Sequence, residues 1–288
     1  MNIRLFACAL LSACVFASCH SDKTMEDIET VSYTFQVINP ITGSLDDFDT
    51  RAGETSTPLS LCVFDVPDGE APKNVVYRKN DVNALAPIKM QLTPGKHRIC
   101  FLCSKSEWEH IVDSTLVISW NEKLDDVWST VVDIDAQTED VNTNQTVQLS
   151  RVVAYVCVTI KDALPSWKPK IYQKLEGGTR SFDMLNQVGG VASMIDVETQ
   201  VTQSDVDRTD RVFGIYTFVP EGVESASSYT IEAREKYKKL YWRTFTDVPL
   251  VQNQYTNYVG ELFTPNNQQE QMSFSLEYDW KQSNNIPF

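Results

Sequence analysis

In the stretch HRICFLCS, Cys100 and Cys103 form a CxxC, a spacing that can do redox or metal chemistry. Redox use wants the pair at a helix start, where the N-terminus stabilises a thiolate, and zinc wants a second pair or histidines nearby. The stretch instead reads as a strand, on which residues three apart point to opposite faces, and the only histidines are His20, His97 and His110. Together with Cys62 and Cys157, these thiols are expected either as buried small hydrophobes or as one structural disulfide. Asp65, Asp68 and Glu70 crowd one turn but lack the spacing and central glycine of a calcium loop, and read as a solvated hairpin turn. Gly177-Gly178 and Gly189-Gly190 read as turns, and the sequence contains no nucleophile elbow, HExxH or phosphate-cradling loop. No pattern marks out a hydrolytic carboxylate pair among the 39 acidic residues. No catalytic, cofactor or metal site is therefore assigned, and a non-enzymatic protein is expected. Of the tryptophans, Trp242 beside Arg243 and Trp280 in an alternating segment are expected in the core or at its edge, with a glycan-binding groove as the other reading.

The elements that carry these residues are short strands. VSYTFQVI (31–38) alternates with a period of two, and LSLCVFDV (59–66) closes on the turn residues PDGEAP. MQLTPGKHRICFLCS reads as a hairpin turning at Pro94-Gly95. After TVQLSR comes VVAYVCVTI (152–160), the strongest strand signal, and further strands are expected at 170–175, 213–219, 229–235, 240–245, 255–262 and 272–280. Residues 177–211 read as long loops with weak strands. Two short helical pieces are expected, at 106–112, where Ser106 and Glu109 have capping-box spacing, and at 121–130. The pattern is all-β, and it implies two antiparallel Greek-key β-sandwiches. The polar stretch DIDAQTEDVNTNQT separates them, giving 59–140 as the first sandwich, with strand 31–38 when that stays attached, and 141–288 as the second. LSLCVFDV and VVAYVCVTI are expected at interior positions, because an unbroken apolar run at an open edge invites aggregation. Both halves open with a polar segment and then such a run, the pattern of an internal duplication. The formal charge of −14 argues against a nucleic-acid partner, which needs a basic surface.

Ahead of these elements stands MNIRLFACALLSACVFASC. Arg4 precedes an apolar run at 5–16, shorter than the roughly 20 residues that span a bilayer, so 1–18 reads as an export signal. Phe16-Ala17-Ser18-Cys19 looks like a bacterial lipobox, which makes Cys19 the expected lipid-modified residue. Leu11-Ser12-Ala13-Cys14 fits the same consensus but strands an apolar stretch on the mature side. An ordinary cleaved signal with an unmodified cysteine is the remaining alternative. Acyl burial contributes about 0.8 kcal/mol per CH₂, so lipid on Cys19 holds the chain at a membrane. Residues 19–58 then form an N-terminal segment and linker carrying the strand at 31–38.

Three stretches carry a family resemblance. Leu149-Ser150-Arg151-Val152-Val153-Ala154-Tyr155-Val156 resembles the Leu-x-Arg-x-x-Ala-x-Val strand that opens the second domain of the fimbrillin-like and fimbrial anchor proteins of Bacteroidetes, the subunits of type V pili. Thr246-Asp247-Val248-Pro249-Leu250, continuing through Asn253-Gln254-Tyr255-Thr256 to Gly260-Glu261-Leu262-Phe263, is similar to a C-terminal segment of that family. Asp49-Thr50-Arg51-Ala52 looks like the Thr-Arg found near the start of many members. The resemblance implies two transthyretin-like sandwiches in a cell-surface lipoprotein of the outer membrane, working as a fimbrial subunit or anchor in fibre assembly and cell adhesion. Its implied partners are other fimbrial subunits, through strand donation or end-capping, the outer membrane through lipid on Cys19, and a host or bacterial adhesion ligand. In shaft subunits a trypsin-like cut after an arginine frees the N-terminal strand, which places processing at Arg51 and Ala52; an exposed linker arginine is the other reading of Arg51. Asp113-Ser114-Thr115 also resembles the short glycosylation motif of these bacteria. The alternative function is a surface glycan-binding lipoprotein of a carbohydrate-uptake system.

Overall fold

Alternating and doubly apolar runs become strands throughout the chain. The computed structural model describes residues 29–38, 58–112, 114–121, 123–139, 142–264 and 275–278. The first half forms β1 (Val31–Val37), β2 (Leu59–Pro67), β3 (Lys73–Asp81), β4 (Ile88–Leu92), β5 (Gly95–Ser104), β6 (His110–Val112), β7 (Val117–Ser119), β8 (Val127–Ala136), β9 (Thr143–Val147) and β10 (Ser150–Arg151). The second half forms β11 (Val153–Ile160), β12 (Lys170–Gly178), β13 (Ser181–Asp183), β14 (Val188–Gly189), β15 (Ser193–Gln200), β16 (Arg211–Phe218), β17 (Ser225–Glu235), β18 (Lys238–Pro249), β19 (Tyr255–Gly260) and β20 (Ser275–Tyr278). Apart from a 3₁₀ turn at Gln203–Asp205, the regular structure among the described residues is all β.

In the first half a three-stranded sheet, ordered β4-β1-β9, packs on a five-stranded sheet ordered β10-β8-β5-β2-β3. β2 and β5 are nearly unbroken apolar runs because the larger sheet is covered on both faces. Leu61, Val63, Ile99, Phe101 and Cys103 face the core shared with β1 and β4. Cys62, Phe64, Cys100 and Leu102 face a second core with Trp108, Ile118 and Trp120. A small sheet ordered β14-β13-β7-β6 carries part of that second core, and in it β13 of the second half pairs with β7 of the first. Phe182, Phe218, Val152 and Val153 enter the same core, so the two halves share buried apolar side chains.

The second sandwich stacks β16-β11-β19-β20 on β15-β12-β17-β18 around a core that includes Val156, Val158, Ile171, Leu175 and Ile231. Its connectivity repeats that of the first. Matching β1, β2, β3, β4, β5, β8 and β9 in order with β11, β12, β15, β16, β17, β18 and β19 converts β4-β1-β9 into β16-β11-β19, and β8-β5-β2-β3 into β18-β17-β12-β15. Each sandwich also has a parallel strand pairing, β1 with β9 and β11 with β19, so the sandwiches are mixed rather than purely antiparallel. The duplication is real at the level of topology, but the counterpart of VVAYVCVTI is β1. LSLCVFDV corresponds to β12. Both apolar runs do occupy interior positions, β2 between β5 and β3 and β11 between β16 and β19.

Other local expectations change. Pro94-Gly95 does not close a hairpin: β4 pairs with β1, while β5 pairs with β2 and β8, and Gly95 at φ 130° turns the chain from one sheet to the other. Residues 106–112 are not helical, because the N–H of Glu109 donates to the Ser119 carbonyl and His110–Val112 pairs with β7. Nor are the described residues of 121–130, where β8 begins at Val127 and pairs along the whole of β5. The acidic run after it alternates, with Asp133 and Asp135 exposed and Ile134 and Ala136 buried. Asp140 and Val141 lie outside the described residues. Immediately after them, β9 joins β1 and β10 joins β8 in the sheets of the first sandwich.

Candidate functional site

β1 is the one long strand whose chain connection to the sandwich it completes runs through residues 39–57. VSYTFQV alternates, and Val31, Tyr33, Phe35 and Val37 are all buried while Ser32, Thr34 and Gln36 face outward. Phe35 meets Phe101 of the larger sheet edge-on, with ring centroids 5.5 Å apart, and Tyr33 stacks on Phe35 at 6.1 Å. On one side β1 pairs antiparallel with β4, from Val31 opposite Leu92 to Phe35 opposite Ile88. On the other it pairs parallel with β9, from Tyr33 to Val37, and the N–H of Ile38 extends the ladder to the Val147 carbonyl at 2.9 Å. β4 and β9 do not pair with each other. Without β1 they would bound a slot of two strand spacings, roughly 9.5 Å, floored by the apolar core and lined with unpaired backbone groups.

Side-chain burial and chain ordering are of similar size here. Burying four such side chains is worth about 1.5–3 kcal/mol each, whereas ordering backbone costs about 1–2 kcal/mol per residue, and β1 has seven. The two therefore nearly offset, and the ladders to β4 and β9 supply much of what holds β1 in the slot. The counterpart β11 sits mid-chain.

The processing and lipidation residues, Cys19, Arg51 and Ala52, lie outside the described residues, as do Trp280 and Asp113. Trp242 is not a core residue: it stands half-exposed on β18, an edge strand, with the Lys239 ammonium 4.6 Å from its ring centroid. The turn carboxylates do not converge. Asp68 and Glu70 are exposed, Glu70 pairs with Lys73 at 2.7 Å, and Asp65 is buried, 2.8 Å from His97 Nδ1. The second ring nitrogen of His97 lies 2.7 Å from the Thr93 carbonyl, so this pair is a structural tie between β2 and the β4–β5 connection. Among the described residues no three His, Cys, Asp or Glu side chains are grouped to hold a metal ion.

Cys62, Cys100, Cys103 and Cys157 are buried thiols that are not joined in disulfides. Burial pushes the Cys100 and Cys103 thiols up to about 12 and raises Cys62 well above its ordinary value. Cys100 and Cys103 face different cores, as strand periodicity requires. Native protein treated with iodoacetamide at pH 8 should leave Cys62, Cys100 and Cys103 unmodified by peptide mapping, and unfolding should expose all three. Rapid native labelling of either CxxC thiol would mean an activated site.

The Leu-x-Arg-x-x-Ala-x-Val stretch has a physical reason. Leu149 enters the first core, and Ala154 and Val156 the second sandwich's core. Between them Arg151, only 8% exposed, donates through Nε to Asp126 Oδ1 at 2.7 Å and through Nη2 to Oδ2 at 3.3 Å. Its guanidinium also lies 5.6 Å from the Trp128 ring centroid. Asp126, at 1% exposure, had no signal in the sequence.

The fold is similar to that of several solved bacterial proteins. The chain is similar in fold to a candidate adhesin from Bacteroides ovatus, with a TM-score of 0.50 and 11% identity over 83% of this chain and 88% of that one. The fimbrial anchor protein Mfa2 from Porphyromonas gingivalis matches at 0.49 and 11% identity, covering 87% and 97%. A candidate cell adhesion protein from Bacteroides eggerthii matches at 0.48 and 12%, covering 87% and 95%. No protein-family model matches the chain, and no curated protein matches it in sequence.

Proposed function

We propose that the protein is a non-enzymatic, lipid-anchored subunit of a bacterial surface fibre, built from two transthyretin-like Greek-key sandwiches and serving fibre assembly and adhesion. The observation that carries this reading is β1: an alternating strand, N-terminal to its sandwich, filling a slot between two strands that do not otherwise pair. Strand donation works on this geometry, since an added strand satisfies the edge N–H and C=O groups while alternate side chains fill pockets. The fold likeness to a candidate adhesin supports it, as does the motif resemblance to fimbrial subunits. Lipid on Cys19 ties the chain to the outer membrane. Cutting after Arg51 removes the lipid and β1 together, which suits a polymerising subunit, whereas an uncut chain suits an anchor.

The N-terminus of protein recovered from cells separates these states. Labelled palmitate should enter the wild type and be lost in Cys19→Ala, and the recovered chain should begin at a lipidated Cys19 or at Ala52. Unlabelled protein free in the medium, with an N-terminus elsewhere, would overturn the reading.

A further inference from the structure

The second sandwich is open along one side where the first is closed. In the first, the connection between β3 and β4 plugs the matching opening: Ala84 is 1% exposed within the core, and Arg78 Nη1 donates to the carbonyls of Ala84 and Ala86, each at 2.7 Å. In the second, the connection between β15 and β16 is held elsewhere, with the N–H of Asp207 donating to the Leu164 carbonyl and that of Leu164 to the Arg208 carbonyl. What remains between the edges of β15 and β16 is a cleft of about 790 Å³, within the range of small-ligand sites.

We propose that this cleft binds a neutral saccharide, which names a ligand class for the surface-adhesion role and rests on that part of the proposed function alone. Its wall carries three tyrosines and the amides of Gln173 and Asn257 among charged side chains. Tyr155 lies across Gly214, where an added Cβ would come within 2.4 Å of the ring, and packs tilted by 40° against Tyr216 with centroids 4.5 Å apart; Tyr255 also lines the cleft. Such flat faces suit the C–H faces of a sugar ring. The hydrogen-bonding capacity left over is mainly amide. Gln173, 1% exposed and lining the cleft, accepts from the Tyr229 hydroxyl at 2.6 Å, and its amide nitrogen has no partner among the described residues. Asn257 accepts from Thr159 at 3.0 Å through Oδ1 and keeps its amide nitrogen. Arg211 pairs with Asp205 at 3.0 Å, yet its buried Nε has no partner among the described residues. A buried donor left unpaired costs about 1–3 kcal/mol, so Arg211 Nε, with the two amide nitrogens beside it on the same cleft, points to an occupant that accepts hydrogen bonds.

Charge and shape narrow the occupant. Lys161 pairs with Asp210 at 2.6 Å, Lys170 with Glu198 at 2.5 Å and Lys123 with Asp125 at 3.1 Å, and the lining charges Arg180 and Asp196 are opposite in sign, so the walls offer little net charge to an ionic ligand. An extended peptide added along the edge is disfavoured because Arg180 bridges the Asn121 and Asp196 carbonyls, at 2.8 and 2.7 Å, and closes one end.

The test is an array of neutral and acidic oligosaccharides probed with the full exported chain, with titration calorimetry on the strongest neutral binder. Tyr216→Ala and Asn257→Ala should each weaken binding about tenfold, the equivalent of roughly 1.4 kcal/mol, without changing far-UV dichroism, and Trp242→Ala should leave it unchanged. Should either variant unfold, saturating sugar should still slow hydrogen exchange across β15 and β16 of the wild type. No binding to any neutral glycan, binding lost only in Trp242→Ala, or exchange protection elsewhere would overturn the proposal. Because none of these readouts involves β1, failure here leaves the assembly reading standing, and failure of strand exchange leaves this one standing.

Discussion

Arg151→Ala is expected to destabilise the protein by about 3–5 kcal/mol, the usual cost of stripping one partner from a buried ion pair. The variant leaves the Asp126 carboxylate at 1% exposure with Lys105 as its remaining cation, 3.8 Å away. Burial already raises the Asp126 carboxyl above its ordinary value, against the pull of Arg151 and Lys105. A carboxyl raised on folding favours the folded state most below its unfolded value, and that contribution fades as pH rises through the folded one. Removing Arg151 raises it further. The deficit of the variant, measured by urea unfolding, should therefore be larger at pH 7 than at pH 4. Asp126→Leu combined with Arg151→Met should recover most of the loss, because an apolar pair of similar bulk avoids the desolvation cost. A loss under 1 kcal/mol, or one independent of pH, would show that the pair does not hold β10 against β8 at the joint of the two halves.

Legibility in the sequence followed the range of the forces involved. β1, β2, β11 and β16 to β19 are readable because their own alternation or unbroken apolarity reports burial. β8 was masked by its acids, although DIDA carries the alternation in full, with Ile134 and Ala136 buried. The sheet of β6, β7, β13 and β14 has strands of two or three residues, too short to show any period. Their pairing is set by Trp108, Trp120, Phe182 and Phe218 meeting from both halves of the chain, with Trp120 and Phe218 at 5.2 Å and Phe182 and Phe218 at 4.9 Å. The same packing overrides the capping-box spacing at Ser106. Within the candidate slot, the strand itself and the MQL arm of β4 are visible in the sequence, but their pairing with each other and with β9 is not, since parallel pairing with β9 joins residues more than a hundred positions apart. The saccharide cleft left no local signal at all: Tyr155, Gln173, Tyr216 and Asn257 come from four separate strands.

The largest effect is expected from β1. Phe35→Asp places a charge against Phe101 at a fully buried position, and the unpaired charge should expel the strand, at a cost of several kcal/mol. Because Phe35 is contributed by an N-terminal segment, the outcome should be an opened first sandwich rather than global unfolding. The second sandwich, with its own core, should keep its exchange-protected amides. The decisive measurement uses the folded chain with a protease site placed within residues 39–57, cut after folding and mixed with a fluorescent peptide of residues 29–38. Exchange is expected: the labelled peptide enters one per chain as the original segment leaves, the thermal midpoint is held, and peptides that are scrambled or carry Phe35→Asp do not enter. A cut chain that keeps its strand indefinitely, or one that loses it and stays equally stable without taking up the peptide, would contradict a replaceable strand and with it assembly by donation.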